Sequence, residues 1–217
     1  MKTSRKQPTV LILAPCMDIP TITSSVAMFH LLEYAGKFPD YDIDYLPGPL
    51  ANRLHYWLYT KAKKYDLVIY YGHGTADRLI GTDAFMSVVN KKNIWRTKSA
   101  PFSTMACFSA KDLGEFAVGN GTHAYIGTIV PYYAAFNEKE RKFLSDWCDY
   151  STIKEKMLLE GQTFGEALKA FKERCTYYMK IYEQKLNYRN YDWYWEATQS
   201  NRDNTVLIGN KNATIFD

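Results

Sequence analysis

The segments IYYGHG (residues 69–74) and FSTMAC (residues 102–107) decide the fold of this 217-residue sequence. Each begins with a short run of mainly apolar, aromatic and β-branched residues. The first run is followed by Gly72, His73 and Gly74, and the second by Cys107. Such runs are typical of strands buried on both faces of a parallel sheet. Runs of this kind predict six strands: 9–14, 41–46, 67–71, 102–106, 124–128 and 206–208.

The segments between and after these runs have the three- and four-residue spacing of apolar positions that is typical of helices. They predict helices over 21–37, 53–63, 112–118, 138–150, 153–160 and 164–187. Alternation of short buried strands with helices is typical of an α/β fold with right-handed crossovers. We therefore predict a mostly parallel six-stranded sheet covered by helices, in one domain of residues 1–217.

Composition and charge exclude several classes of protein. The chain is 47% hydrophobic and 23% charged, as globular proteins are. Its net charge of +4 is too balanced to indicate a nucleic-acid partner. The sequence has no apolar run of transmembrane length, and the stretch 10–14 is too short for a secretory signal. We expect a cytoplasmic protein with reduced thiols and no membrane partner.

A histidine and a cysteine follow neighbouring runs at the point where each strand should end. In open α/β sheets, functional sites form at the carboxyl ends of the strands. His73 and Cys107 would then meet at one sheet edge, where an imidazole can raise the thiolate fraction of a thiol. Gly74 permits a sharp turn, and its N–H, with that of Cys107, could stabilise an oxyanion.

Each of these residues also has a structural interpretation. A lone cysteine after a strand is most often a small buried side chain, and a histidine between glycines is often a loop residue. Their equivalent positions on two strand ends favour catalysis. The sequence has no G-x-S-x-G nucleophile motif, no phosphate-binding lysine loop and no cysteine or histidine pair at metal-ligand spacing. We therefore expect no cofactor and no metal.

The order of these motifs resembles that of the caspase-like cysteine peptidases (clan CD), and of their gingipain and CHAT branch in particular. Three further segments are similar to that branch: GNGTHAYIGTIVP (119–131), TFGEALKAFK (163–172) and NTVLIGNKNATI (204–215). The last departs from the usual Gly-Asp-Pro ending. The resemblance implies a caspase-like αβα sandwich and a hydrolase, a cysteine endopeptidase with Cys107 as nucleophile, His73 as general acid and base, and Gly74 in the oxyanion hole.

The resemblance also implies roles for two carboxylates. Asp18 follows the first strand, where it would either bind a basic (Arg or Lys) side chain at P1, the substrate residue before the cleaved bond, or cap the next helix. Asp77 would either orient the His73 ring or lie in a solvated turn. The resemblance further implies a polypeptide substrate and an activating partner protein. It is also the sole reason to consider calcium, since no acidic cluster in the sequence marks a site.

Two other functions stay open at this stage. The first is a catalytically silent scaffold, with the aromatic-rich segment 188–195 as its interaction surface. The second is a small-molecule acyl hydrolase that uses the same Cys–His pair, for which a closed pocket would be expected in place of an open cleft. The segment 77–100 is predicted to be a lid or a cleavage site, or else a basic surface helix.

Overall fold

The computed structural model describes residues 7–82, 86–134, 141–186 and 191–217. The strands are β1 (Thr9–Ala14), β2 (Asp42–Pro47), β3 (Leu67–Tyr71), β4 (Gly74–Thr75), β5 (Arg78–Ile80), β6 (Ser87–Asn90), β7 (Phe102–Met105), β8 (Ala124–Thr128) and β9 (Thr205–Gly209). The helices are α1 (Ile19–Ala35), α2 (Arg53–Ala62), α3 (Glu115–Gly119), α4 (Arg141–Leu159), α5 (Phe164–Glu183) and α6 (Tyr191–Asn204). A π-helical turn, Ala110–Gly114, precedes α3.

Six strands form the central sheet in the order β2-β1-β3-β7-β8-β9. All neighbouring pairs are parallel except β8 and β9, which are antiparallel. The six strands are the ones predicted, with ends that differ by one residue at most. The predicted α/β fold with a mostly parallel six-stranded sheet is confirmed.

Helices cover both faces of this sheet, each over its own apolar core. Met28 of α1, Trp147 of α4 and Phe171 of α5 are buried on one face. Tyr56 of α2 and Leu113 of the π-helical turn are buried on the other. The four inner strands, β1, β3, β7 and β8, are buried at every residue, which matches their short, mainly apolar sequences, whereas the edge strands β2 and β9 are only partly buried. The arrangement is the predicted αβα sandwich.

The segment 77–100 differs from its prediction. In its described part, β5 and β6 join β4 in a small antiparallel sheet, and a short 3₁₀ helix covers Ile94–Thr97. The surface-helix interpretation is therefore wrong. Leu79, Val88 and Val89 are fully buried, so apolar packing holds these strands against the domain although each is only two to four residues long. The lid and the cleavage site stay predictions.

The helical last third also differs from its prediction at two points. Residues 138–150 and 153–160 were expected to form two helices, but α4 continues from Arg141 to Leu159. Its β-branched Thr152 is buried and donates its hydroxyl to the Cys148 carbonyl oxygen at 2.8 Å, so tertiary packing overrides the weak helix preference. Helix α6 was not predicted. In the described residues, no helix is both long and apolar enough to cross a membrane.

Two buried side chains of α4 form an ion pair beneath the sheet. Lys154 and Glu155 are 1% and 0% exposed, and Lys154 Nζ lies 2.7 Å from Glu155 Oε1. The same oxygen accepts a hydrogen bond from the hydroxyl of Ser103 on β7 at 2.6 Å. Lys154 Nζ also donates to the Ser151 carbonyl oxygen at 3.0 Å. The pair therefore ties α4 to the strand that leads to Cys107.

Candidate active site

His73 and Cys107 follow two strands that are paired in the sheet. In the parallel register of β3 and β7, Tyr71 lies opposite Met105, so the residues after both strands emerge at the same edge. His73 and Cys107 line one cleft of about 180 Å³ at this edge. The sequence predicted that these two residues would lie side by side, and the structure brings them together.

Cys107 lies at a turn between β7 and the π-helical turn. The next residue, Phe108, has a left-handed φ of +56°, and its N–H donates to the Val130 carbonyl oxygen at 3.0 Å. The Cys107 sulfur accepts a hydrogen bond from the Tyr132 backbone N–H at 3.3 Å. The same sulfur lies 3.9 Å from the Tyr132 carbonyl oxygen, to which the thiol can donate. Tyr132 is held in turn, because its hydroxyl lies 2.9 Å from the hydroxyl of Ser151 on α4.

Buried hydroxyl groups support the turn that carries Cys107. The Thr128 hydroxyl lies 2.8 Å from the Ala106 carbonyl oxygen and 2.9 Å from that of Val130. The Thr104 and Ser109 hydroxyl oxygens are 2.7 Å apart, and both side chains are buried. The first of these bonds satisfies the carbonyl oxygen just before Cys107, and the Thr104–Ser109 contact links the strand before Cys107 to the turn after it.

The other three cysteines differ from Cys107 in exposure. All four are free thiols in the structure. Cys148 and Cys175 are buried, and desolvation raises the pKa of Cys148 to about 12 and that of Cys175 further. Cys16 is exposed just after β1. Cys107 is half-buried beside a histidine, which is the setting expected of a reactive thiol.

The backbone of His73 is fixed by β5 and by a buried tyrosine. Its carbonyl oxygen accepts the Ile80 N–H at 3.0 Å and lies 2.6 Å from the Tyr70 hydroxyl. The next residue, Gly74, passes very close to the cysteine, since a Cβ atom there would lie 2.6 Å from the Cys107 carbonyl oxygen. Only glycine permits this approach, which explains the glycine that the sequence shows after the histidine.

Asp18 has two functions in this geometry. As the N-cap of α1, its Oδ1 accepts the Thr21 N–H at 3.1 Å and the Thr21 hydroxyl at 2.9 Å. Its Oδ2 lies 2.8 Å from His73 Nε2. Burial alone would raise the pKa of the Asp18 carboxyl, but the hydrogen bonds from His73 and Thr21 outweigh it and hold the pKa below its usual value. The helix cap was one of the two predicted roles, and the contact with His73 was not predicted.

Asp77 lies in a turn, the second of the two alternatives predicted for it. Its carboxylate accepts hydrogen bonds from the Thr75 hydroxyl at 2.8 Å and from Arg78 Nε and Nη2 at 2.9 Å each. These partners, Arg78 above all, lower the pKa of the Asp77 carboxyl to about 2. The carboxylate that contacts the His73 ring is instead that of Asp18. The spacing of Asp77 from His73 favoured a turn residue, and the turn is what the structure shows.

Comparison with known proteins supports the fold. No protein-family model and no curated protein matches this sequence. The similar solved structures include the Arg-specific cysteine proteinase gingipain R, at 15% identity and a TM-score of 0.62. They also include the complex of the pro- and mature domains of RgpB from Porphyromonas gingivalis, at 14% identity and a TM-score of 0.63. The fold is caspase-like. At this level of identity the likeness shows the fold alone.

The match covers nearly all of this chain but only about half of each similar structure. The match with gingipain R includes 98% of this chain and 48% of the gingipain R chain. The match with the RgpB complex includes 98% of this chain and 49% of the RgpB chain. The chain therefore spans about half the length of the proteins it resembles. The resemblance to the gingipain branch, predicted from the order of the motifs, is confirmed for the fold.

The described residues offer no fit for the calcium that the resemblance brought into consideration. Among them, no group of three or more His, Cys, Asp or Glu side chains is placed to hold a metal ion. Calcium prefers six to eight oxygen ligands. The two carboxylates nearest the site are engaged with protein donors, Asp18 with Thr21 and His73 and Asp77 with Arg78.

Asp18→Asn should separate the two functions of this residue. Asparagine caps helices about as well as aspartate, so the free energy of unfolding should change little. For any reaction in which His73 transfers a proton, loss of the charge beside its ring should lower kcat/KM about 10- to 100-fold. This is less than the ~10⁴-fold cost of losing a buried orienting carboxylate, because the pair is partly exposed and screened by water.

Steady-state kinetics and chemical denaturation of Asp18→Asn and Asp18→Ala test this prediction. The alanine variant should lose the same activity and, in addition, about 1 kcal/mol of stability through the lost cap. Unchanged activity in both variants would show that the contact of Asp18 with His73 has no catalytic role.

Proposed function

We propose that this protein is a cysteine peptidase that hydrolyses peptide bonds with Cys107 and His73. The observation that carries the proposal is the position of both residues in one cleft, at the carboxyl ends of two paired strands. A thiol and an imidazole in this arrangement are the elements of nucleophilic acyl transfer. The hydrogen bond from the Tyr132 N–H to the sulfur adds support, because it fixes the position of the sulfur in the cleft.

In the proposed mechanism, the Cys107 thiolate attacks the carbonyl carbon of the scissile bond. The backbone N–H groups of Gly74 and Cys107 stabilise the resulting oxyanion. His73 then protonates the departing amine as the C–N bond breaks, which leaves a thioester on Cys107. Water, deprotonated by His73, attacks the thioester and releases the carboxylic acid, and the thiolate is restored.

The contact with Asp18 supports a specific arrangement of the His73 ring. With the Nε2–H donated to the carboxylate at 2.8 Å, Nδ1 is the ring nitrogen that is left to exchange a proton with the thiol and the leaving amine. The carboxylate also stabilises the imidazolium that forms. The role of orienting the ring, predicted for Asp77, is therefore proposed for Asp18.

Selection of Arg or Lys at P1 by Asp18 stays a prediction, and the contacts of Asp18 give it no support. Both carboxylate oxygens already accept protein donors, Oδ1 from Thr21 and Oδ2 from His73. A guanidinium or ammonium group would have to compete with them. The geometry favours a positioning role in catalysis over a role in specificity.

The size of the cleft supports a peptide substrate over a small molecule. Pockets that enclose a small-molecule ligand have volumes of about 300–1,000 Å³. The cleft at His73 and Cys107 has about 180 Å³, which suits one side chain of a longer substrate. A complex of pro- and mature domains exists for the similar RgpB, which is consistent with a polypeptide substrate or partner here. Control by an activating partner protein remains part of the proposal.

The scaffold function loses its strongest argument in this structure. Of the aromatic segment 188–195, the described residues belong to α6 and pack against the chain itself. Tyr194 is buried, and its ring stacks on that of Phe143 with 3.7 Å between the centroids. Tyr191 and Trp195 are partly buried against the same core, whereas Trp193 is exposed, so most of the described aromatic side chains have a structural role and their number does not by itself indicate an interface. The first residues of the segment, 188–190, lie outside the described part.

Incubation of the wild-type protein with a defined peptide mixture, followed by mass spectrometry, tests the proposal. We expect new peptide termini that appear with wild type and with Cys16→Ala, the variant that removes the other exposed thiol. They should be absent with Cys107→Ala. Product formation that survives the loss of Cys107 would contradict the assigned nucleophile.

A further inference from the structure

We propose that the cleft beside Cys107 and His73 selects a substrate whose uncharged side chain flanks the scissile bond. This inference rests on the proposed peptidase function and adds the class of substrate. The evidence for this inference is the set of residues that line the cleft. They comprise Pro20, Thr21 and Ser24 on one side and Met105, Ala106, Tyr132 and Ala134 on the other, with Gly72 beside the two reactive residues.

The first turn of α1 forms one wall, and its polar atoms are already paired. The Thr21 hydroxyl is engaged with Asp18, which it contacts at 2.9 Å from Oδ1. The Ser24 hydroxyl donates to the Pro20 carbonyl oxygen at 3.0 Å. Both side chains are buried. This wall therefore presents little free hydrogen-bonding capacity to a substrate side chain.

The opposite wall is apolar. Met105, Ala106 and Ala134 are buried, and they place methyl and thioether groups along the cleft. Tyr132 contributes a ring whose hydroxyl is bonded to Ser151. Among the described residues that line the cleft, none is Asp, Glu, Lys or Arg.

A charged substrate side chain would be disfavoured in such a site. It would exchange its hydration for apolar contacts and find no opposite charge on the described walls, because the Asp18 carboxylate is held by Thr21 and His73. Discrimination by an apolar pocket against an unpaired charge should be at least tenfold in kcat/KM.

A peptide library cleaved by the wild-type protein provides the test. We expect the sequenced cuts to be flanked, at one constant position next to the bond, by uncharged residues. Arg, Lys, Asp and Glu should be depleted there at least tenfold. Cuts that follow Arg or Lys would overturn this inference and leave the proposed function standing. Absence of any Cys107-dependent cleavage would overturn both.

Ser24→Asp tests whether these walls set the preference. A carboxylate in the cleft should shift the preferred flanking residue to Lys or Arg by at least tenfold. Ser25→Asp is the matched control, because it adds the same charge to the next position of α1, which does not line the cleft, and should leave the preference unchanged. Ala134→Asp supplies the charge from the opposite wall if Ser24→Asp does not fold. An unchanged preference in a folded cleft variant would contradict the inference.

Discussion

Cys107→Ala should abolish peptide cleavage, with a loss of about 10⁶-fold in kcat, the scale seen when an acyl-transfer enzyme loses its nucleophile. The remaining groups of the site can bind a peptide and polarise its carbonyl, but no thioester can form. Cys107→Ser should be nearly as inactive. Its hydroxyl can keep the hydrogen bond from the Tyr132 N–H, yet it is far less acidic than a thiol.

Cys16→Ala is the control for this prediction. Cys16 follows β1 at the same sheet edge and is the more exposed thiol, so an accidental reaction of any accessible cysteine would depend on it. Rates should be measured with one peptide from the cleaved mixture, on variants whose unfolding transitions match that of wild type. A loss of only tenfold in Cys107→Ala would exclude nucleophilic catalysis by this residue.

Lys154→Met should lower the free energy of unfolding by about 3–5 kcal/mol, the usual cost of breaking a buried ion pair from one side. The change leaves the Glu155 carboxylate in the core, with the Ser103 hydroxyl as a remaining donor at 2.6 Å. Glu155 is 0% exposed, so water cannot replace the lost ammonium group. Denaturant titration, read by tryptophan fluorescence, measures the effect.

A surface pair on the neighbouring helix provides the matched control. Lys169 and Glu173 are 75% and 68% exposed at 3.8 Å, and Lys169→Met should change stability by no more than about 0.5 kcal/mol. The double variant Lys154→Met/Glu155→Leu should recover much of the loss, because it removes both buried charges. Equal effects at the buried and exposed lysines would contradict the account of the core.

The sheet and the Cys–His pair were predictable because their signals are local. Continuous apolar runs identify strands buried on both faces, and the parallel arrangement brings their carboxyl ends to one edge. Because His73 and Cys107 each follow the end of such a strand, the parallel arrangement predicts that both lie at this edge. Gly74 was also predictable, since a residue that must approach another backbone closely is most often glycine.

The remaining features depend on contacts that no local pattern encodes. Asp18 and His73 are 55 positions apart, and their contact depends on the orientation of two side chains. The strands of the small antiparallel sheet, β4 to β6, are two to four residues long, which is too short to show the alternation of apolar and polar residues that identifies a strand. Helix α6 begins within an aromatic-rich segment that lacks a clear apolar period, and it is stabilised by stacking such as that of Tyr194 on Phe143.

Alkylation of the thiols as a function of pH tests the central claim most directly, because it needs neither a substrate nor an activator. Mass spectrometry distinguishes Cys107 from the exposed Cys16 in the same sample, and the other two thiols are buried. In wild type, Cys107 should be alkylated at least tenfold faster than Cys16 at about pH 6, and His73→Asn should remove this difference in rate. A Cys107 that reacts no faster than Cys16, with or without His73, would contradict the proposed pair.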